Sequence, residues 1–246
     1  MTSSEPAAHI LAEDTDLAET VAAEVRPQAV AQVTARVLTF DRGRLSPFGD
    51  FPRDAVGLLV LRGLLIRRVE LEGRYACELL GECDVLRPWQ ADDVQTLPVN
   101  SSWTVLEPSR IAILDAGFTR SLAEYPELAA RLFERAIRRS RQLSVNMAIV
   151  HQARVDERLR MLFWHLASRW GRVRGDGVVL PLRLTHSVLA ELVAARRPTV
   201  SSALSDLARR GIVRAADEGW LLTGGPPSEQ PRSAQAAETR DPKRSA

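Results

Sequence analysis

The chain has 246 residues, of which 45% are hydrophobic and 26% are charged, and its formal net charge at pH 7 is +2. This length suits one large domain or two ordinary ones, and no apolar run approaches the ~18 residues that a membrane-spanning helix needs. The acidic N-terminus lacks the basic start and apolar core of a signal peptide. We therefore expect a cytoplasmic protein without a membrane partner.

Two cysteines, Cys77 and Cys83, are too few for a disulfide scaffold or an all-cysteine iron–sulfur site in one chain. We interpret both as ordinary buried or half-buried thiols. The alternative is a metal or redox sensor, or an enzyme, in which the cysteines act with a histidine. No HxxxH, CxxC, nucleophile elbow or Gly-rich phosphate loop supports that alternative, so we predict no enzyme activity, cofactor or metal. The histidines are His9, His151, His165 and His186.

The first part of the chain predicts an arm followed by a β domain. Residues 1–30 are rich in Ala, Glu and Thr without a sustained period, so we expect a short helix or a disordered arm. Over 31–118 short β-like runs alternate with Gly, Pro and Asp, which predicts a small β-sandwich or barrel. The runs cover 35–40, 57–61, 64–71, 74–80, 103–106 and 110–114.

A long helix is predicted over 119–153. Pro126 sits where a first helical turn tolerates proline, and no Pro or Gly follows until Gly171. The pattern breaks near 153–154 and restarts at Val155. An apolar stripe on the long helix indicates packing against its own β domain, a partner helix or both. The stripe is Leu132, Ala136, Leu143, Met147 and Val150. We interpret five arginines as a solvated face: Arg131, Arg135, Arg138, Arg139 and Arg141.

The segment 154–223 predicts a winged helix-turn-helix, two helices joined by a short turn and followed by a β-hairpin. Thr185 is a good N-cap for the first helix, and Pro198 fits the first turn of the second. Gly211 can adopt the left-handed conformation that ends a helix. Residues 212–214 and 218–222 predict the hairpin. The predicted inner residues are Leu189, Leu192, Val193, Val200, Ala203, Leu204 and Leu207.

The outer face of this motif has the composition of a DNA-binding surface. Short hydroxyl side chains approach phosphates and base edges closely, and a helix N-terminus attracts phosphate. Residues 155–222 carry eleven Arg against seven acidic residues, which favours a polyanion partner. The alternative is an αα-hairpin in an all-α domain with solvated hydroxyls. The candidate DNA-binding residues are Thr185, His186, Arg196, Arg197, Thr199, Ser201, Ser202 and Ser205.

The order of parts resembles the Crp/Fnr family of bacterial transcription regulators over roughly residues 31–222. The most specific match lies in 184–211, above all Arg197-Pro198-Thr199-Val200-Ser201 with Leu204, Leu207 and Gly211. Further matches are the Gly63-Leu-Leu-Ile hairpin, the turn Leu79–Leu86 and the helix start Val155–Leu159. The resemblance implies an α+β fold: an N-terminal cyclic-nucleotide-binding-type β-roll, a long dimerisation helix and a C-terminal winged helix-turn-helix.

The composition of the two ends and the resemblance between them together imply a domain map and partners. The map is an arm over 1–30, a sensor-like roll over 31–118, a dimerisation helix over 119–153, a DNA-binding domain over 154–223 and a disordered tail over 224–246. The implied partners are double-stranded DNA with a pseudo-palindromic operator, a second copy of the chain and RNA polymerase.

The residues that hold cyclic AMP in this family are not matched. Members that bind it have Gly-Glu and then Arg-Ser after the turn, where this chain has Arg87-Pro-Trp-Gln-Ala-Asp-Asp. Asp92 and Asp93 would repel a phosphate. Of the adenine-contacting Thr-Ser pair on the long helix, only Ser144 remains, after Leu143. We therefore expect regulation by something other than cyclic AMP, or loss of sensing.

A different effector is left open. Arg87 offers bidentate donors and Trp89 a stacking face for another anion or planar ligand, and Ser144 is a third candidate ligand-binding residue. The alternative is a surface arginine and a tryptophan that fills the roll.

The DNA-reading residues of the family are also only partly matched. Of the recognition trio Arg-Glu-x3-Arg, the first arginine corresponds to Arg197, while Pro198 and Ser202 occupy the other two places. A bidentate contact from Arg197 to guanine is expected, and the operator should differ from that of the cyclic-AMP receptor. The second DNA-binding interpretation is an effector-independent architectural protein.

Overall fold

The structure is a computed structural model that describes residues 2–45, 55–88, 97 and 99–227. The chain divides into two compact units, Met1–Met147 and Ala148–Ala246. Over the described ranges, no helix combines the length and the apolar character needed to cross a bilayer.

Within its described residues, the first unit is built on an antiparallel sheet of seven strands, in the order β1-β2-β7-β4-β5, with β3 paired to β7 and β6 to β4. The strands are β1 Thr2–His9, β2 Thr34–Phe40, β3 Gly43–Leu45, β4 Gly57–Leu71, β5 Arg74–Gly81, β6 Val85–Leu86 and β7 Asn100–Leu114. Alternate residues of β4 and β7 enter two separate apolar clusters, one containing Leu58 and Ile113 and the other Leu59 and Ala112. The sheet is therefore covered by apolar packing on both faces.

Two predicted pairs of short strands are single long strands. The runs 57–61 and 64–71 form β4, and the runs 103–106 and 110–114 belong to β7. The pairing of β4 with β7 shifts register between Val60 and Leu65. Gly63 has a φ of +100°, and a Cβ there would lie 2.3 Å from Ser109 Oγ. The glycine therefore marks a bulge where two paired strands bend together. The sequence pattern predicted a break between two strands at this bend.

The first 33 residues are not the short helix or disordered arm that the sequence predicted. β1 pairs with β2 at the edge of the sheet, and three short helices follow: α1 Ile10–Glu13, α2 Thr15–Ala18 and α3 Arg26–Gln32. Ile10, Leu17 and Val21 are fully buried in the same cluster as Leu59. The helices are only four to seven residues long. They are therefore too short to produce a sustained helical period of apolar residues in the sequence.

The region predicted as one long helix forms two helices, α4 Ala116–Glu124 and α5 Pro126–Val150. The Asp115 side chain caps α4 by accepting hydrogen bonds from the amides of Gly117 and Phe118. Tyr125 leaves the helical conformation at the end of α4, because a residue before proline is disfavoured there. The predicted helix over 119–153 therefore begins as a separate helix, and Pro126 opens the long one.

As far as residue 227, the second unit combines three helices with a four-stranded antiparallel sheet, in the order β10-β11-β9-β8. Its elements are α6 Val155–Trp170, β8 Arg172–Arg174, β9 Gly177–Leu180, α7 His186–Leu192, α8 Arg197–Arg209, β10 Val213–Ala216 and β11 Gly219–Leu222. The Phe163 and Trp220 rings pack with centroids 5.0 Å apart, which joins α6 to the sheet. From residue 228 onward the expected tail lies outside the described residues.

Candidate nucleic-acid interface

The helix-turn-helix forms as the sequence predicts. The Thr185 hydroxyl accepts a hydrogen bond from the Val188 amide at the start of α7. Ala194 has a φ of +50°, a left-handed conformation that is uncommon outside glycine, and the Ala195 amide donates to the Ala190 carbonyl at 2.9 Å. The turn between the two helices is therefore short and tightly held.

The second helix, α8, begins at Arg197, with Pro198 in its first turn. All four predicted inner residues are buried: Val200, Ala203, Leu204 and Leu207. Gly211 has a φ of +66°, and the Ile212 amide donates to the Leu207 carbonyl at 2.9 Å. This is the Schellman arrangement that ends a helix. Val213–Ala216 and Gly219–Leu222 then pair as the predicted hairpin.

The outer face of α8 carries the candidate DNA contacts. Arg196, Arg197 and Thr199 are exposed around its start, where the helix macrodipole adds positive potential. Ser202 and Ser205 are exposed one turn apart, and each hydroxyl donates to the carbonyl four residues before it. Each hydroxyl oxygen therefore presents acceptor lone pairs outward while its proton bonds to its own helix.

Two predicted contact residues bond to each other. His186 Nδ1 lies 2.9 Å from Ser201 Oγ, both side chains are half-buried, and the His186 ring lies 6.3 Å from the Trp220 ring. The prediction placed Ser201 on the outward face of α8. In the structure its hydroxyl ties α8 to the first residue of α7, so Ser201 serves the packing of the motif.

Arg158 is a functional candidate that the sequence analysis missed. Its guanidinium donates to the main-chain carbonyls of Gln152, Val193 and Ala194. It therefore reaches the turn between the two DNA-binding helices from α6. The available signal was its place in the stretch Val155–Leu159, which matches the family, although the pattern did not reveal its partners.

The candidate ligand residues are not gathered into a site by the described geometry. Arg87 is exposed after β6. Trp89, like Asp92 and Asp93, lies outside the described residues. Ser144 is exposed on α5, where its hydroxyl donates to the Ser140 carbonyl at 3.2 Å. The proposed use of Arg87, Trp89 and Ser144 as one pocket remains a prediction.

The face of α5 interpreted as solvated arginines includes a buried ion-pair network, which corrects that interpretation. Arg135 and Asp14 have side chains only 1% and 3% exposed and bond through both carboxylate oxygens at 2.6 and 2.8 Å. Arg135 and Arg131 also donate to Asp16, and the hydrogen bonds from Arg131 and then Arg135 lower the pKa of Asp16 to about 2. These acidic partners lie in the N-terminal segment, so the arginines hold that segment to α5.

A second ion pair joins α5 to the sheet. Arg139 donates to both oxygens of Glu78 at 2.5 and 2.8 Å, and the Glu78 side chain is only 10% exposed. Glu78 lies on β5. Arg139 is therefore a structural cation between helix and sheet, while Arg138 and Arg141 are exposed as predicted.

The two cysteines are half-buried and neither forms a disulfide. Cys83 lies with Asp14 and Asp16 in a group whose possible ligand atoms are all within 4.8 Å of one another. Arg135 already donates to both carboxylates. A metal ion would have to displace that guanidinium, so the geometry favours an ion pair over a metal site.

The comparisons with known proteins agree with this architecture. Residues 157–223 match the model of the Crp-like helix-turn-helix domain. The chain is 28% identical over 209 residues to the CRP-like cAMP-activated global transcriptional regulator of Mycobacterium tuberculosis, covering 81% of this chain and 90% of the relative.

Two solved structures share the fold. A cyclic nucleotide-binding domain containing protein from Listeria monocytogenes superposes with a TM-score of 0.63 at 19% identity, covering 85% of this chain and 96% of the other. The c-di-GMP responsive global regulator CLP of Xanthomonas campestris superposes with a TM-score of 0.57 at 16% identity, covering 83% and 100%.

A sheet-rich N-terminal unit followed by a DNA-binding winged helix-turn-helix defines a class of transcription regulator. Within that class, the chain is similar to regulators of the Crp/Fnr family, and its residues 157–223 match the Crp-like helix-turn-helix domain. Members of this family bind DNA and typically act as dimers.

Proposed function

We propose that this protein is a homodimeric transcription regulator that places α8 in the DNA major groove. The observation that carries the proposal is the exposed face at the start of α8, where Arg197 and Thr199 stand on a helix whose inner side is fully packed. A helix held this way presents its N-terminal residues to base edges. We place the protein in the cytoplasm, with RNA polymerase as its functional partner.

The dimer is supported by an exposed stripe on α5. The spacing of its members is four, three, four and three, the seven-residue repeat of helices that pair side by side. Phe133 and Met147 are 68% and 62% exposed although both are large apolar residues, and two serines between them would allow close approach. The stripe is Phe133, Ile137, Ser140, Ser144 and Met147.

We further propose that the dimer does not respond to cyclic AMP. The relative from Mycobacterium tuberculosis is described as cAMP-activated, but this chain lacks the phosphate-binding pattern expected after residue 86. Ser144, the remaining member of the adenine-contacting pair, donates to its own helix. Calorimetry of the purified protein should show no cyclic-AMP binding below roughly millimolar concentration, where RT ln Kd is already only about −4 kcal/mol. Micromolar binding would contradict this.

A second candidate function is an architectural DNA-binding protein that needs no effector. It is favoured by the pair of Arg139 and Glu78, because an internal ion pair already connects α5 to β5. Such a protein would show a weak preference for any one sequence and a steep dependence of affinity on salt.

Selection of bound fragments from a random DNA pool tests the proposed function. We expect a pseudo-palindrome whose half-sites are centred one helical turn apart, about 34 Å, because a two-fold dimer presents two copies of α8. A pool that yields no consensus sequence would support the architectural function instead.

Arg197→Ala should relax the consensus at one base pair in each half-site, because a bidentate contact to guanine discriminates by about 1–3 kcal/mol. The same selection measures the effect. Arg209→Ala is the matched control, since Arg209 is an exposed arginine of the same helix that pairs with Asp206, and it should leave the consensus unchanged. Uniform weakening by Arg197→Ala would mean that this residue contacts phosphate.

A further inference from the structure

The guanidinium of Arg158 connects two turns that are far apart in the sequence. Its Nε donates to the Gln152 carbonyl at 2.6 Å, and its Nη1 donates to the carbonyls of Val193 and Ala194 at 3.1 and 3.3 Å. Gln152 lies in the turn that follows the long helix α5, and Val193 and Ala194 form the turn that leads into α8. One planar group therefore fixes both turns.

The turn before α8 needs such support. The last carbonyls of a helix have no partner within it, and Arg158 supplies a donor to the carbonyls at the end of α7. Ala194 also holds a left-handed conformation that a non-glycine residue adopts at a cost. Loss of the guanidinium would leave the carbonyls unpaired and would release the turn that aims α8.

The other end of α8 is tied to the same part of α6. Asp156 accepts hydrogen bonds from Arg154, and its Oδ2 lies 3.6 Å from Nη1 of Arg210, the residue that caps α8. The Asp156 side chain is only 14% exposed. Asp156 and Arg158 both lie in the first turns of α6, so this short stretch contacts the segments at both ends of α8.

We propose that Arg158 is a positioning residue for DNA recognition: by holding the turn at 193–194 against the turn at 152, it sets the angle at which α8 meets the groove. The inference rests on the proposed function, since it assigns a residue that acts through α8. Asp156 with Arg210 supports the far end of the same helix.

A positioning role affects specificity and non-specific affinity differently. Contacts to base edges require the correct angle of α8 in the groove. Contacts to phosphate supply most of the non-specific affinity and depend less on that angle. Removing Arg158 should therefore reduce binding to the operator more than binding to random DNA. A residue that contacts DNA phosphate would instead reduce both and would lower the salt dependence by about one unit of slope.

The experiment measures the affinity of full-length Arg158→Ala for the selected operator and for random DNA, each over a range of salt. We expect the operator affinity to fall about tenfold or more, consistent with unpaired acceptors, with random-DNA affinity and salt slope unchanged. Arg158→Lys should recover part of the loss, because an ammonium group can bond one carbonyl but cannot span both turns. Arg209→Ala, which removes an exposed charge paired to Asp206 within α8, should match the wild type.

Arg158→Gln provides a second variant if Arg158→Ala does not fold, as judged by circular dichroism and tryptophan fluorescence. Its shorter side-chain amide can donate to one carbonyl but cannot span both turns, so it should also lower operator affinity selectively. Equal losses on operator and random DNA, or no loss in either variant, would overturn the proposal. A wild-type protein that does not distinguish operator from random DNA would instead overturn the proposed function.

Discussion

Arg135 shows how much a single residue contributes to the organisation of the first unit. Its guanidinium is buried and bonded to Asp14, and it also reaches Asp16. Asp14 at the same time caps α2 by accepting from the Leu17 amide at 2.9 Å. One carboxylate therefore starts a helix and neutralises a buried cation, so the N-terminal segment and α5 depend on the same group.

Replacing Arg135 should lower the free energy of unfolding far more than replacing Arg131, one helical turn away. Arg135→Leu leaves the Asp14 carboxylate buried without its counter-charge, which we expect to lower the free energy of unfolding by about 3–5 kcal/mol. Arg131→Leu removes a side chain that is 28% exposed, and the cost should stay at or below about 1 kcal/mol. Urea denaturation followed by circular dichroism measures both. Similar values for the two variants would show that the buried pair has no special role.

The serines on α8 show that a sequence pattern does not always predict whether a small polar side chain faces solvent. The sequence placed Ser201, Ser202 and Ser205 together as outward-facing contacts, and Ser202 and Ser205 are exposed. Ser201 is instead bonded to His186. A serine side chain is small and amphipathic enough for either environment, so only the packing of α7 against α8 decides between them.

At the scale of elements, α5 carries two different faces along one helix. One face holds the arginines that bond to the N-terminal segment and the sheet, and the other presents the exposed stripe from Phe133 to Met147. The predicted stripe contained Leu132, which is buried in the core of its own unit. The spacing of apolar residues thus gave the correct helix, and the structure assigns its residues to the two faces.

Phe133→Glu combined with Ile137→Glu should convert the proposed dimer to a monomer, because charges opposed across a helix pair are unpaired and desolvated. Light scattering should give twice 27.2 kDa for the wild type and 27.2 kDa for the variant. Val25→Glu, which also introduces a charge at an exposed apolar residue, should remain dimeric. A wild-type monomer at micromolar concentration, or a variant that stays dimeric, would argue against this face.

For the whole molecule, the parts predicted well are those whose signals are local. The winged helix-turn-helix is specified by Thr185, Pro198 and Gly211, each of which acts within one turn of its own backbone. The features that were missed depend on distant partners. Arg135 and Asp14 are 121 residues apart, and Arg139 and Glu78 are 61 apart. A hydrophobic pattern within one segment cannot predict which charged residue of a distant segment will pair with it.

The edge position of β1 has a practical consequence for anyone who shortens the chain. A fragment that starts after Val33 would expose the unpaired backbone edge of β2, a template for pairing with other molecules. It would also leave Arg135 in an apolar interior without either acidic neighbour. We expect such a fragment to aggregate during expression, so an affinity tag and its cleavage site belong upstream of residue 2 or beyond residue 227.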